Sequence, residues 1–345
     1  MMTDQRLCFV GPMLGRRPGY VTSQGLILAD HFERAGYEVI TASDSTNRYV
    51  RLLDILATII RHGRRLDVVC VEVYAGPSFV VEDLASVVAK LFRRRIVMVL
   101  HGGSLPEFME RHPSWARRVL KRADLIVAPS PFLARAAGRQ GFSAQVIPNI
   151  IDFSKYPYRH RNSLRPHFLW MRAFHPFWNP EMAIRVFARI RGKLPHAKLV
   201  MAGQDKGLQS SIERLAADLN LDGSVRFPGF LNMEGKIREA AEADIFLNTN
   251  RVDNMPVAVV EACAMGLPVV STSVGGVPDL LTDGETGLLV GDNDVDGMER
   301  AILRLLGDSE LAGRLSAAGH QLAQRSAWER VRPEWERAFS GRLDN

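Results

Sequence analysis

An α/β protein of two tandem doubly wound domains is what the sequence predicts, and three observations predict it. Its 345 residues exceed what one hydrophobic core normally organises. Short β-branched runs alternate with helical patterns almost end to end, as in a parallel sheet covered by helices on both faces. The alternation lapses once, across NIIDFSKYPYRHRNSLRPH, and then restarts.

The first half offers the strands LCFVG, YEVITAS, DVVCVEVY, RIVMVLHG, DLIVAPS and AQVIPN. These define a first domain over residues 1–150, followed by a connection over 151–166. A second domain over 167–326 offers HFLWMRA, AKLVMAG, SVRFPGF, DIFLNTN, LPVVSTS and TGLLV. The tail, 327–342, is amphipathic, with Trp328, Val331, Trp335 and Phe339 spaced to share a face. It is expected to pack as a closing helix, the first domain being one place for it. Domains of this kind bind ligands at the carboxyl ends of their strands, so a cleft faced by both sheets is the expected site.

With 46% hydrophobic, 24% charged and 8% aromatic residues, the chain has the composition of an ordinary globular protein. Cys8, Cys70 and Cys263 sit among apolar neighbours and read as reduced core residues. No basic, apolar and small-residue leader opens the chain, and no apolar run reaches about 18 residues, so a cytoplasmic location is expected. Residues 1–150 carry 20 Lys and Arg against 13 Asp and Glu, so the whole positive balance lies in the first half. The clusters are Arg61, Arg64 and Arg65, then Arg93, Arg94 and Arg95, then PSWARRVLKRAD, whose Trp115, Val119 and Leu120 can share a face away from Arg117, Arg118, Lys121 and Arg122. Such a surface either attracts anionic lipid headgroups, at about 1 kcal/mol per well-placed cation, or is a solvated helix face. No nucleic-acid-binding module accompanies the charge, which excludes nucleic acid as the favoured partner.

The most informative stretch runs from Asn248 to Val290. A strand ending at Asn250 leads through Asp253, Asn254, Met255 and Pro256 into a helix containing Glu261. Pro256 suits a first helical turn, and free amides at Met255, Val257 and their neighbours, added to the helix dipole, favour a diphosphate. Glu261, an unpaired acid on an apolar segment, is expected to accept hydrogen bonds from vicinal hydroxyls such as those of ribose. His101 follows RIVMVL and is expected to project from the carboxyl end of a sheet, where it can donate to a sugar hydroxyl or polarise the reacting centre. Gly19, in GPMLGRRPGYVTSQG, allows close backbone approach to a ligand or forms an ordinary turn. GDNDVDG, residues 291–297, imitates the opening of a calcium loop, but Leu303 stands where the closing Glu belongs. Helix capping explains its acids better, and no metal site is expected.

These motifs resemble the large retaining glycosyltransferase family often called family 4, or glycosyl transferases group 1. Its donor motif has two acids separated by seven residues, matched here by Asp253 and Glu261, and the likeness continues through GLPVVSTSVGGVPDLL. Asp253 and Asn254 stand where the family usually has Glu and Gly. The resemblance implies the GT-B fold, two Rossmann-like domains facing a central cleft, with an acceptor domain first and a nucleotide-sugar-binding domain second. It also implies that the first acid meets the transferred sugar, that the second meets the ribose, and that a histidine such as His101 lies near the sugar. Of the family's glycine pair only Gly19 is kept, with Tyr20 beside it, and IPNIID matches a structural turn at the domain junction. Arg172 matches the family's diphosphate-binding arginine, whereas Trp178 fills the place of the lysine that completes the clamp. Lys206 or Arg251 is the expected substitute charge.

The implied activity is a metal-independent, retaining hexosyltransferase that moves a sugar from a nucleoside-diphosphate sugar to a hydroxyl acceptor. No other cofactor is implied, and the family's front-face mechanism has the departing diphosphate help deprotonate the acceptor. A glycan or lipid-linked acceptor at the inner membrane face, in cell-surface polysaccharide or glycolipid assembly, fits the basic first half. The alternatives are a catalytically degenerate nucleotide-sugar or glycan-binding protein and a GT-B sugar epimerase. A nicotinamide dehydrogenase is a weaker alternative still, since no GxGxxG pattern follows the first strand.

Overall fold

Twelve short apolar runs form strands in the structure, a computed structural model that describes residues 5–15 and 22–341. They divide between two compact units, residues 1–150 with 328–345, and residues 151–327. The first unit holds β1 (Arg6–Val10), α1 (Gln24–Arg34), β2 (Glu38–Ala42), α2 (Arg48–His62), β3 (Val68–Val73), α3 (Phe79–Leu91), β4 (Arg95–Leu100), α4 (Leu105–Arg111), α5 (Pro113–Leu120), β5 (Leu125–Ala128), α6 (Pro131–Arg139) and β6 (Gln145–Val146). The second holds β7 (His167–Met171), α7 (Pro180–Lys193), β8 (Lys198–Ala202), α8 (Gln209–Asp218), β9 (Val225–Gly229), α9 (Met233–Glu242), β10 (Ile245–Asn248), α10 (Val257–Ala264), β11 (Val269–Thr272), α11 (Val277–Leu280), β12 (Leu288–Val290), α12 (Val295–Gly307) and α13 (Ser309–Ala323). The last helix, α14 (Trp328–Ser340), clusters with the first unit.

Each unit is a six-stranded parallel sheet, ordered β2-β1-β3-β4-β5-β6 in the first and β12-β11-β10-β7-β8-β9 in the second. Strands of such sheets are covered on both faces, which explains why they read as continuous apolar runs rather than alternations. In β3, Val69, Val71 and Val73 join one core layer, and Val68 and Cys70 the opposite one. Glu72 shares the second parity, so it is a carboxylate inside an apolar layer, 2% exposed. In the second sheet, Ile245 and Leu247 of β10 face one layer and Phe246 the other.

The closing helix has a defined place. Val331, Trp335 and Phe339 of α14 are buried among Leu7, Phe9 and Phe32, and Phe9 meets Phe339 edge-on at 5.9 Å. Arg95 ties the helix down by donating to the Ala338 carbonyl at 3.0 and 3.1 Å. In the second unit Arg161, 2% exposed, donates to the carbonyls of Ala240, Ala243, Met265 and Arg159, and burial pulls its pKa down to about 9. All three cysteines are free and buried. Asp294 caps α12 by accepting from the Gly297 amide at 2.8 Å, a helix-capping role within the 291–297 segment.

The basic clusters do not all present free charge. Trp115, Arg118 and Arg122 converge on Asp83, at 2.7, 2.6 and 2.7 Å, so half of the cations of the α5 segment serve an internal carboxylate. Arg94 is spent on the carbonyls of Phe92 and Leu66. Arg61, Arg64 and Arg65, at the end of α2, are exposed and reach no carboxylate among the described residues. No helix among these residues is long and apolar enough to cross a membrane.

Candidate functional site

Strand order places the site of the second unit. The strand order reverses between β7 and β10, and the carboxyl ends of the strands at such a reversal are where doubly wound sheets take ligands. Arg172 is the residue after β7, and the loop after β10 carries Asn250 and Asp253. The guanidinium Nη2 of Arg172 lies 2.5 Å from Oδ2 of Asp253, which also accepts from the Asn250 amide at 2.6 Å, while Oδ1 accepts from the Asn254 backbone at 2.8 Å. Burial raises the Asp253 pKa against the opposing pull of Arg172 and these donors. Gly275 makes room for this loop, because a Cβ there would stand 2.0 Å from the Asp253 carbonyl oxygen, and its φ is +55°.

Trp178 is not a neutral gap in the expected clamp. Its ring lies under Arg172, with Cζ 4.6 Å from the ring centroid. The turn that carries it is held from below, since the Thr249 hydroxyl is 2.9 Å from both the Trp178 and Asn179 carbonyl oxygens and accepts from Trp170 Nε1 at 3.0 Å. Arg172 is thus fixed by a carboxylate on one side and an indole on another, and its Nε is buried with no partner. A buried charged donor left without an acceptor is costly, and a ligand oxygen that reached it would remove that cost.

Glu261 corrects one expectation. It is 7% exposed, not on open surface, but it is not unpaired. Lys236 Nζ lies 2.8 and 2.9 Å from its two carboxylate oxygens, and the Tyr156 hydroxyl donates to Oε1 at 2.8 Å. Burial and the facing Glu261 both raise the Tyr156 pKa far above its ordinary value, so its proton stays on and it remains a donor. Three of the roughly four acceptor positions of the carboxylate are therefore in use, and a diol must share or displace Lys236 to gain two bonds.

The loop before α10 differs in detail from expectation. Pro256 is the N-cap of α10, outside its first turn. The Met255 amide is not free, because it donates to Asn254 Oδ1 at 2.5 Å. Val257 and Ala258 keep their amides unengaged by any acceptor among the described residues, so the orphan donors of the helix start at Val257 rather than at Met255. Neither Lys206 nor Arg251, both exposed, makes a described contact with Asp253 or Glu261. Among the described residues, the cation that the fold brings to a site carboxylate besides Arg172 is Lys236.

In the first unit His101 directly follows β4, as expected, but its ring is 6% exposed. Nε2 lies 2.5 Å from Oε2 of Glu72, out of line for a straight hydrogen bond, and the ring stacks on Tyr74 at 4.9 Å. The adjoining cavity, shared with Gln24, Pro148 and Asn149, is about 10 Å³, room for about one water. Gly25, at the start of α1, is required by the Glu72 carboxyl, since a Cβ there would stand 2.6 Å from its Cδ. Gly19 lies outside the described residues. A second buried acid, Glu82, accepts from the Tyr74 amide at 3.0 Å, and burial pushes its pKa up from 4.5 to about 8.

The folded chain therefore holds the Glu82 proton that the unfolded chain releases above pH 4.5, so folding stability falls as pH rises from about 4.5 to about 8 and is flat beyond. Glu82→Gln is expected to remove that slope and to be the more stable form at pH 8, by on the order of 3 kcal/mol. Thermal melts of both proteins across pH 5–9 check this, and parallel pH profiles would refute it.

Residues 160–322 match the family described as glycosyl transferases group 1, and residues 30–155 match glycosyltransferase family 4. The chain belongs to the glycosyl transferases group 1 family. This group 1 chain is 29% identical over 251 residues to a GDP-mannose-dependent alpha-(1-6)-phosphatidylinositol monomannoside mannosyltransferase of Mycolicibacterium smegmatis, covering 67% of the chain and 65% of that relative. It is 33% identical over 129 residues to a lipopolysaccharide core biosynthesis glycosyltransferase of Rhizobium meliloti, covering 37% of each. The aligned parts thus span less than two thirds of these curated relatives. Sucrose-phosphate synthase of Thermosynechococcus elongatus matches 98% of both chains with TM-score 0.81 at 16% identity. Anabaena HepE, in complex with UDP and glucose, covers 98% of this chain with TM-score 0.76 at 19% identity. The fold is GT-B.

Four polar residues of this group 1 member escaped the sequence reading. Glu72 was detectable as a lone acid within VVCVEV, a strand otherwise apolar on both parities. Lys236 left a weaker trace, a cation near the start of α9, where the helix dipole prefers acids. Tyr156 and Glu82 carried no distinguishing signal.

Proposed function

We propose that the chain transfers a sugar from a nucleoside-diphosphate sugar to a hydroxyl acceptor, with retention of anomeric configuration and without a metal. One observation carries the reading: Asp253 and Glu261, which bracket the start of α10, are both buried and both tied to a cation, Arg172 and Lys236, at the strand-order reversal of the second sheet. In this reading the β-phosphate meets Arg172 and the amides of Val257 and Ala258, which stabilise charge as the diphosphate departs. Asp253 orients the sugar, and Glu261, preset by Tyr156 and Lys236, takes the ribose. HepE is crystallised with UDP and glucose, and the mycobacterial relative is named for GDP-mannose, which supports the nucleoside-diphosphate class.

The acceptor in this proposal is lipid-linked and presented at an anionic membrane surface. The phosphatidylinositol monomannoside in the name of the mycobacterial relative supports it, as do the exposed Arg61, Arg64 and Arg65 of the first unit. Proton NMR of the product made from an α-linked donor tests the mechanism: an α-linked product is expected, and a β-linked product overturns retention. A second reading, a binding protein without turnover, draws on Trp178 in the place of the family lysine. Tight donor binding with no transfer and no hydrolysis would favour that reading.

A further inference from the structure

The first sheet has its own reversal of strand order, between β1 and β3, and a cavity of about 590 Å³ opens there. This volume falls within the range of ordinary small-molecule sites, roughly 300–1,000 Å³. Gly11 and Pro12 follow β1, Tyr74 follows β3, and the starts of α2 and α3 close the sides. Val10, Leu52, Val71, Val80 and Val81 give the lining an apolar character. A free sugar needs many paired donors and acceptors, and this lining supplies few.

Its polar groups are unevenly placed. Glu72 and Glu82 are each 2% exposed, and Oε2 of Glu82 is buried without a partner. Burial raises the Glu82 pKa to about 8 against the pull of nearby Arg51, so this acid is largely uncharged at neutral pH. Arg48, exposed, and Arg51, half-buried, line the same cavity, and neither forms an ion pair with a carboxylate among the described residues. The surroundings are unusual as well. Of the twelve large apolar side chains exposed among the described residues, eight lie on α2 and α3, including Tyr49, Leu53, Leu84 and Leu91. A concentration of this kind marks an interaction site.

We propose that this cavity binds the hydrocarbon part of an anionic amphiphile, the sugar acceptor, while Arg48 and Arg51 hold its anionic group. The proposal rests on the reading of the chain as a transferase with a lipid-linked acceptor. Apolar walls give the chain length-dependent affinity, and the two cations select a charged headgroup over a neutral one.

Calorimetric titration of the full chain with decyl phosphate, decyl maltoside and inorganic phosphate, all below micelle formation, tests it. Decyl phosphate should bind saturably and inorganic phosphate should not. Filling the cavity by Val81→Trp, or more mildly by Val81→Phe, should weaken decyl phosphate by about tenfold or more. Arg51→Gln should weaken it by about fivefold while leaving decyl maltoside nearly unchanged. The proposal is overturned if decyl phosphate binds all these proteins equally, or if inorganic phosphate binds as tightly as decyl phosphate, which would make the site a bare anion site. Thermal stabilisation by UDP or GDP, measured on the same variants, reports folding and the second unit independently. In these variants nucleotide stabilisation should persist; in the parent protein, alkyl phosphate binding without nucleotide binding sinks the donor reading, and nucleotide binding without alkyl phosphate binding sinks this one.

Discussion

Arg172→Ala should lower kcat/KM by about 10²–10³-fold, the usual effect of deleting one charged donor aimed at a leaving group. Arg172 has no redundant neighbour in the described contacts, because the family's lysine place holds Trp178, whose ring instead orients the guanidinium from 4.6 Å. The loss is compounded at Asp253, which is 6% exposed and would be left buried beside Asn250 without its cation. Arg172→Lys restores charge but neither the planar fork nor the stacking on Trp178, so it should recover only part of the rate. Steady-state kinetics with the bound donor sugar decide the matter. An alanine variant within about threefold of the parent would show that the departing group is stabilised elsewhere.

Glu261→Ala has the second large effect, and it should appear in donor affinity. Loss of a charged hydrogen-bond acceptor is worth about 1.5–3 kcal/mol, or about 10- to 150-fold in Kd. The same change strands the buried Tyr156 hydroxyl and frees Lys236. Because the Lys236 side chain is 25% exposed, the cost to folding should stay below the roughly 3–5 kcal/mol of breaking a fully buried pair. Glu261→Gln keeps an acceptor for Tyr156 and loses the attraction of Lys236, so it should lie between the parent and alanine. Titration of UDP and GDP into the three proteins measures this order, and equal affinities would remove Glu261 from the donor site.

The fold was legible because parallel sheets buried on both faces leave continuous apolar runs, and all twelve runs read as strands are strands. Pairing in the site was not legible. Arg172 and Asp253 stand 81 positions apart and Lys236 and Glu261 25 apart, and only strand order, which no local pattern encodes, brings them together. Glu261 was read as unpaired for the same reason: its partners come from α9 and from Tyr156, separate elements whose approach is a tertiary fact. The Met255 amide was read as free because an Asn side chain folding back on the next amide cannot be told from one facing a ligand. Trp178 was legible as a departure, but its stacking on Arg172 required the turn that Thr249 anchors.

Calorimetric titration of the full chain with UDP, GDP and their sugars addresses the claim on which the rest depends. The expected result is saturable binding of at least one nucleoside diphosphate, weakened about tenfold or more in both Arg172→Ala and Glu261→Ala. Binding of equal strength in the parent and both variants, or no binding of any nucleoside diphosphate, would contradict it.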